Sequence, residues 1–246
     1  MYKVYAITDI GKEREQNQDG FMIDGIHCEN VEHREVYYET DAKYVHVALC
    51  DGVGSTQFAS YAVEKAQEFI CNHLRVADEQ ELEKMIIDMN EYVYNSLREV
   101  NKADGACTIA GIIMIQNTAL IYNIGDSPAY SINNGYLEKQ TMDDTGVALF
   151  GEQVSIDGDA QIKPPLIQTI GTNKLIDLIH IKKEQDDVAF LLCTDGITDM
   201  LSLDEMEEIL ESSDSIKEVA QRFVEEANNR GGFDNATIII LVDEED

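Results

Sequence analysis

The sequence predicts an α+β fold: a four-layer α-β-β-α sandwich of two mostly antiparallel sheets, each covered by a pair of helices. Three features carry that expectation. Two amphipathic helical stripes follow each other between residues 56 and 100, and a second pair lies between 204 and 229. Between them, residues 107–140 break into strand-length segments joined by turn residues. Consecutive strands with tight turns pair antiparallel, whereas parallel sheets need a crossover element between strands. Paired amphipathic helices need a flat apolar surface to cover. No Pro/Ser-rich linker and no repeat of solenoid period interrupts the chain, so residues 1–246 read as one domain.

Taken in order, residues 2–8 alternate as a strand and stop at Asp9-Ile10-Gly11. Residues 12–20 are polar without periodicity, as a loop would be, and 21–26 form a second strand. The Glu-rich stretch 27–43 reads as a hairpin or surface insert. An apolar run at 44–50 then ends abruptly in Asp51-Gly52-Val53-Gly54. Apolar residues recur at Phe58, Ala59, Ala62, Ala66, Phe69, Ile70 and Leu74, with Ser55 or Thr56 as the helix N-cap. Leu82, Met85, Ile86, Met89, Val93, Leu97 and Val100 form the next helical stripe. Strands are expected at 108–116, 119–124, 128–132 and 136–140, with Asn133-Asn134-Gly135 as a hairpin turn. Residues 141–160, rich in Asp and Gly, read as a loop or flap. Strands return at 166–170, 175–181 and 188–193, helices at 204–210 and 215–229, and a last strand at 236–242.

Composition narrows the function. Eighteen basic residues against 48 acidic ones give a formal charge of -30. That excludes nucleic acid and anionic membrane surfaces as partners and permits basic partners and divalent cations. The five cysteines are odd in number and form no Cys-x-x-Cys pair, which fits a reducing compartment. The N-terminus lacks a signal-peptide apolar core and no apolar run reaches membrane-spanning length, so the expectation is a soluble, cytoplasmic protein.

Four carboxylates share one local context, a strand end or a Gly-containing turn: Asp19, Asp51, Asp195 and Asp234. One Asp-Gly after a strand is an ordinary turn. The run 188–194 leading into Asp195-Gly196 repeats the pattern of 44–50 leading into Asp51-Gly52. Carboxylates brought together need cations, and oxygen-only donors suit magnesium or manganese. Two such ions side by side can hold a hydroxide for attack on a phosphoryl group. Arg14, in the loop before Asp19, is either a phosphate-binding fork or a surface ion-pair partner.

In order along the chain stand Thr8-Asp9-x-Gly11-x-x-Arg14-x-x-Asn17-x-Asp19, Asp51-Gly52-Val53-Gly54, Ile124-Gly125-Asp126-Ser127, Thr194-Asp195-Gly196-Ile197-Thr198-Asp199 and Asp234-Asn235-Ala236-Thr237. This ordered set resembles the metal-dependent serine/threonine protein phosphatases of type 2C (the PPM family), in their compact bacterial form. The resemblance implies hydrolysis of phosphoserine and phosphothreonine by a metal-bridging water, with no phospho-enzyme. It implies two manganese or magnesium ions. Asp51 would bridge them, Gly52 would bind one through its main-chain oxygen, and Asp195 and Asp234 would complete the other. Asp19 would touch metal-bound water, directly or through a neighbour. Arg14 would bind phosphate, and Asp126 and Asn235 would support the site. A third ion would draw on Asp104. The implied partners are a phosphoprotein substrate and a cognate Ser/Thr kinase, with the enzyme itself a monomer.

Departures from the family pattern bear on chemistry. Gln18 stands where many members carry an acid, and Val53 where eukaryotic members often carry a histidine proposed as general acid. Ser55 replaces a common glycine and Pro128 a common arginine. None of the five histidines falls in a motif. The alternative is a catalytically weak or regulatory phosphoprotein-binding relative, which Gln18 favours and the retained Arg14, Asp51, Asp195 and Asp234 oppose. A haloacid-dehalogenase-type phosphatase would need Asp-x-Asp on an early strand, which neither Asp9 nor Asp51 provides. Asp157-Gly158-Asp159 is too short for an EF-hand loop.

Overall fold

The structure is a computed structural model and describes all residues except 55, 147–164, 186–188, 213–214 and 244–246. In chain order the strands are β1 (Tyr2–Asp9), β2 (Gly20–Ile23), β3 (Ile26–Glu29), β4 (His33–Thr40) and β5 (Tyr44–Cys50). Helices α1 (Ala59–Asn72) and α2 (Glu79–Glu99) follow. Then come β6 (Ile109–Ile115), β7 (Thr118–Ile124), β8 (Ala129–Asn133), β9 (Tyr136–Lys139), β10 (His180–Gln185) and β11 (Ala189–Cys193). A short α3 (Asp195–Thr198), α4 (Leu203–Glu211), α5 (Ile216–Asn229) and β12 (Ala236–Asp243) complete it.

Two six-stranded antiparallel sheets result, ordered β4-β1-β12-β11-β8-β9 and β10-β7-β6-β5-β2-β3. Every strand except the edges is covered on both faces, so strands such as Ile238-Ile239-Ile240-Leu241 are continuously apolar. Alternate residues serve different layers. Val4 and Ala6 of β1 meet Phe21, Val47, Ile112, Phe190 and Ile239 between the sheets. Tyr5 and Ile7 face the other way, onto Phe223 and Val224 of α5. On the second sheet's outer face, Ile113 and Tyr122 pack against Ile70 of α1 and Ile86 and Met89 of α2. The α-β-β-α sandwich expected from the element order is therefore the fold observed.

Several local expectations are corrected. Residues 21–26 are not one strand: Asp24 and Gly25 both adopt positive φ (43° and 94°) and turn the chain between β2 and β3. The 27–43 stretch is no hairpin, because β3 pairs with β2 while β4 crosses to the other sheet and pairs with β1. Helix α1 starts at Ala59 behind Phe58, which makes no side-chain cap. Thr56 spends its hydroxyl on the Val53 carbonyl instead (2.9 Å), and Ser55 lies outside the described residues. Val100 falls past the end of α2 and is exposed. Residues 166–170 make only single bridges, Leu166 to Thr145 and Ile170 to Cys107; Leu166 walls a cavity and Ile170 packs in the core beside Val93 and Leu97 of α2 rather than extending a sheet. The strand expected at 175–181 begins at His180 and runs to Gln185; Leu175, 76% exposed, has no sheet to join. Of the 141–160 flap, residues 141–146 are irregular but for Thr145 and Gly146, and the remainder lies outside the described residues.

Helix starts follow the chemistry of exposed backbone N–H groups. Asp78 accepts from the Glu81 N–H (2.9 Å) at α2, and Ser215 from the Glu218 N–H (3.2 Å) at α5. At α4 the Glu205 carboxylate reaches back to the Ser202 N–H (2.9 Å).

One buried cross-strand pair is unusually constrained. Gly111 of β6 lies opposite Tyr122 of β7, and a Cβ at Gly111 would stand 2.3 Å from the Tyr122 ring. The Tyr122 hydroxyl is fixed by His46 Nε2 at 2.8 Å, and burial pushes His46 down to about 3, keeping it neutral. We expect Gly111→Ala to lower the urea midpoint by an overpacking cost of about 1–3 kcal/mol. Tyr122→Phe, which strands His46 Nε2, should cost about 1–3 kcal/mol. An unchanged midpoint in both variants would contradict the packing described.

Candidate active site

Antiparallel pairing puts the ends of β1, β5, β7 and β11 and the starts of β2, β6 and β12 at one end of the sandwich. The connections there surround a cavity of about 520 Å³ whose wall includes Arg14, Asp51, Gly52, Asp126, Asp195 and Asp234. Asp19 lies beneath it, 2% exposed. The structure thus gathers residues more than two hundred positions apart in sequence.

Asp19 is held by hydroxyls. Its Oδ2 accepts from Thr194 Oγ1 (2.9 Å) and Thr237 Oγ1 (2.8 Å). Thr237 Oγ1 also meets Thr8 Oγ1 at 2.7 Å, and Thr8 Oγ1 accepts from Asn17 Nδ2 at 2.8 Å. Burial pushes the Asp19 carboxyl up to about 7; the two hydroxyls oppose this, and the charges of Asp195 and Asp234 reinforce it. Asp51 is raised well above the usual carboxylate range, by burial first and then by Asp195, Asp19, Asp126 and Asp234. Asp19 and Asp51 thus both feel the charges of Asp195 and Asp234.

The loop carrying Arg14 is stitched down by Asn235. Its Oδ1 accepts from the Gln18 N–H (2.8 Å), and its Nδ2 donates to the carbonyls of Ile10 (2.9 Å) and Gln16 (3.0 Å). Arg14 Nη2 donates to Asp234 Oδ2 at 2.5 Å, and both side chains are 36% exposed. Gly52 runs under this loop: a Cβ there would come within 2.6 Å of the Gln18 carbonyl oxygen. The Asp51 backbone is tied to Thr108, whose N–H donates to the Asp51 carbonyl (2.8 Å) and whose hydroxyl meets Ser127 Oγ at 2.6 Å. Ser127 follows Asp126 in the turn after β7, so Thr108 bonds that turn to Asp51.

Among the described residues, no three His, Cys, Asp or Glu side chains converge closely enough to clasp an ion unaided. Mutually repelling carboxylates around an open cavity, with backbone oxygen nearby and no histidine or thiol on the wall, fit a hard divalent cation that keeps part of its water. Asp104 sits on an exposed turn after α2 and is not part of the cavity wall. Val53 lines the cavity and offers no side-chain proton. Sequence reasoning assigned no role to Thr8, Asn17, Thr108, Ser127, Thr194 or Thr237. The available signal was a threonine interrupting an apolar strand beside an aspartate, at Thr8 and Thr194, and at Thr237 close behind Asp234.

The family model "Protein phosphatase 2C" matches residues 24–231. The chain belongs to the protein phosphatase 2C family. This 2C-type chain is 29% identical to the serine/threonine phosphatase Stp of Listeria monocytogenes, over 95% of its own length and 93% of the relative's. It is 27% identical to the protein phosphatase PhpP of Streptococcus pneumoniae, over 99% of both chains. Its fold is similar to that of the Staphylococcus aureus serine/threonine phosphatase Stp1 (TM-score 0.81, 21% identity, 100% and 96% coverage). It is also similar to the catalytic domain of PstP solved with two manganese ions (TM-score 0.72, 22% identity, 98% and 99% coverage).

A carboxyl whose folded value is about 7 against an ordinary 3.8 stabilises the fold fully below about pH 4, and that contribution is lost as pH rises through about 7. With divalent cations chelated, Asp19→Asn should therefore raise the melting temperature at pH 8, by the equivalent of roughly 1–3 kcal/mol, and change it far less at pH 4.5. Equal shifts at the two pH values would remove Asp19 from the pH dependence.

Proposed function

We propose that the chain is a metal-dependent protein serine/threonine phosphatase whose site is the cavity at the sheet ends. The observation that carries this reading is the convergence of Asp51, Asp126, Asp195 and Asp234 on one cavity with Arg14 at its rim and Asp19 beneath. Manganese or magnesium would be held by Asp51, Asp195, Asp234 and the Gly52 main-chain oxygen, with Asp19 behind them. Once bound, such ions supply positive charge that lowers the pKa of water and offsets the phosphoryl oxygens.

The chain's own groups then divide the work. Arg14 presents a fork of N–H donors at the rim, suited to two phosphoryl oxygens, while Asp234 fixes its direction. Asn235 keeps that fork above the carboxylates by holding the loop at three backbone points. Thr108, the cavity hydroxyl beside Asp51, is bonded to Ser127 and to the Asp51 N–H and has no histidine near it to activate it. Water is the nucleophile that the resemblance to the type 2C phosphatases implies, and Thr108 does not compete with it. With valine at position 53, the leaving alkoxide takes its proton from water as well. Asp104, exposed and not on the cavity wall, is left out of the assignment.

The substrates are phosphoproteins, and a chain of charge -30 favours phosphosites with basic flanks. A Ser/Thr kinase of opposing action is the natural counterpart. Five free cysteines suit a reducing, cytoplasmic setting, and no helix among the described residues is long and apolar enough to cross a membrane. High net charge opposes self-association, which favours a monomer.

Phosphate release from p-nitrophenyl phosphate and a phosphothreonine peptide, with manganese and with chelator, tests the reading. Activity should require the metal, and Asp195→Ala should lower kcat by at least about 100-fold. Full activity in chelator would falsify it. Arg14→Ala should raise KM for the phosphopeptide roughly tenfold while calorimetric manganese affinity stays within about twofold. Parallel loss of manganese binding would contradict the phosphate role.

A further inference from the structure

Asp144, 1% exposed, is a buried carboxyl group outside the carboxylate site. Its Oδ1 pairs with His180 Nε2 at 2.8 Å, and its Oδ2 accepts from the Gly125 N–H (2.9 Å) and from Gln168 Nε2 (3.3 Å). Its backbone is bonded in both directions: the N–H donates to the Gly125 carbonyl and the carbonyl accepts from the Ile167 N–H, each at 2.9 Å. A buried carboxylate persists only when its oxygens are satisfied, and here each oxygen ties down a different segment.

Those segments border the cavity. Gly125 precedes Asp126, and Ile167 follows Leu166; Asp126 and Leu166 both line the cavity wall. His180 opens β10 opposite Asn123, whose amide donates to the Met142 carbonyl (2.6 Å) and the Gly125 carbonyl (3.2 Å). Beyond Asp144 the chain closes on itself again, with the Gly146 N–H donating to the Pro165 carbonyl at 3.1 Å. One carboxylate therefore sets the distance between two parts of the cavity wall, and His180, 22% exposed, secures it from outside.

We propose that Asp144 and His180 are positioning residues for the hydrolysis, acting through the Gly125–Asp126 turn and Leu166 and not on the substrate. The proposal rests on the phosphatase reading. Removing the His180 N–H leaves a buried carboxylate oxygen unpaired, and the carboxylate must turn toward another donor. Either the turn or the Leu166 segment then shifts, and reactions that depend on alignment lose rate steeply with small displacements.

His180→Leu and His180→Gln test this, because a glutamine amide can still donate to Asp144 Oδ1. We expect His180→Leu to lower kcat on p-nitrophenyl phosphate with manganese on the order of tenfold, with KM within about twofold, well below its melting temperature. In chelated protein, amide hydrogen exchange at Gly125 and Ile167 should quicken in the same variant. His180→Gln should restore both readouts. Wild-type kcat in His180→Leu overturns the proposal, as does unchanged exchange at both amides. So does a His180→Gln variant of wild-type melting temperature that still behaves like the leucine variant. A wild-type chain inert toward both phosphomonoesters overturns the phosphatase reading, whereas the exchange result judges the clamp by itself.

Discussion

The structure is organised around the cost of crowding carboxylates. Asp195 and Asp234 raise the proton affinity of both Asp19 and Asp51, and Asp126 adds to that of Asp51, in a chain that already carries a formal charge of -30. Left to relax, such groups would separate or take up protons. They cannot separate, because strand pairing holds Asp51 and Asp195, the hydroxyl chain holds Asp19, and Asn235 holds Asp234 and the Arg14 loop; Asp19 and Asp51 instead bind protons more tightly. Repulsion held in place is also what gives the site its appetite for divalent cations.

The sandwich supplies the stiffness that this requires. β1 and β12 lie inside one sheet and β5 and β6 inside the other, so the carboxylate-bearing ends belong to strands with neighbours on both sides. Thr8 and Thr237 are a directly opposed pair across β1 and β12, and their hydroxyls meet below Asp19. The polar support thus uses positions that an otherwise apolar strand would fill with another aliphatic side chain. Packing sets where the ladder ends, and the ladder end sets the carboxylates.

Much of this is legible in the sequence, for identifiable reasons. The layer order followed from helical stripes and turn residues, whose periods survive almost any tertiary context. Asp51 and Asp195 stood out because burial stops at them abruptly. What the sequence hid depends on partners distant along the chain. Asp24-Gly25 reads as strand because apolar residues flank it, and nothing in the composition of β4 assigns it to the opposite sheet. Leu166 and Ile170 are apolar for a cavity wall and for packing against α2, which periodicity cannot tell from a strand. The threonines around Asp19 and the Asp144–His180 pair are ordinary residues until the fold sets them together.

The pairing of β1 with β12 joins Tyr2 to Asp243 and every residue between Tyr2 and Asp9 to a partner near the other end of the chain. A nascent chain leaving the ribosome therefore carries an unpaired β1 edge until β12 has been made. β11 faces the same wait, since β12 lies between it and β1. Closing so long a loop is slow relative to local folding. Asp234, at the mouth of β12, is also among the last of the cavity residues to be synthesised. The half of the sandwich built from β5, β6, β7, α1 and α2 has no such delay. Assembly of the hydrolytic centre therefore waits on β12, and a chain that stalls before it has most of the carboxylates but lacks the strand that joins β1 to β11.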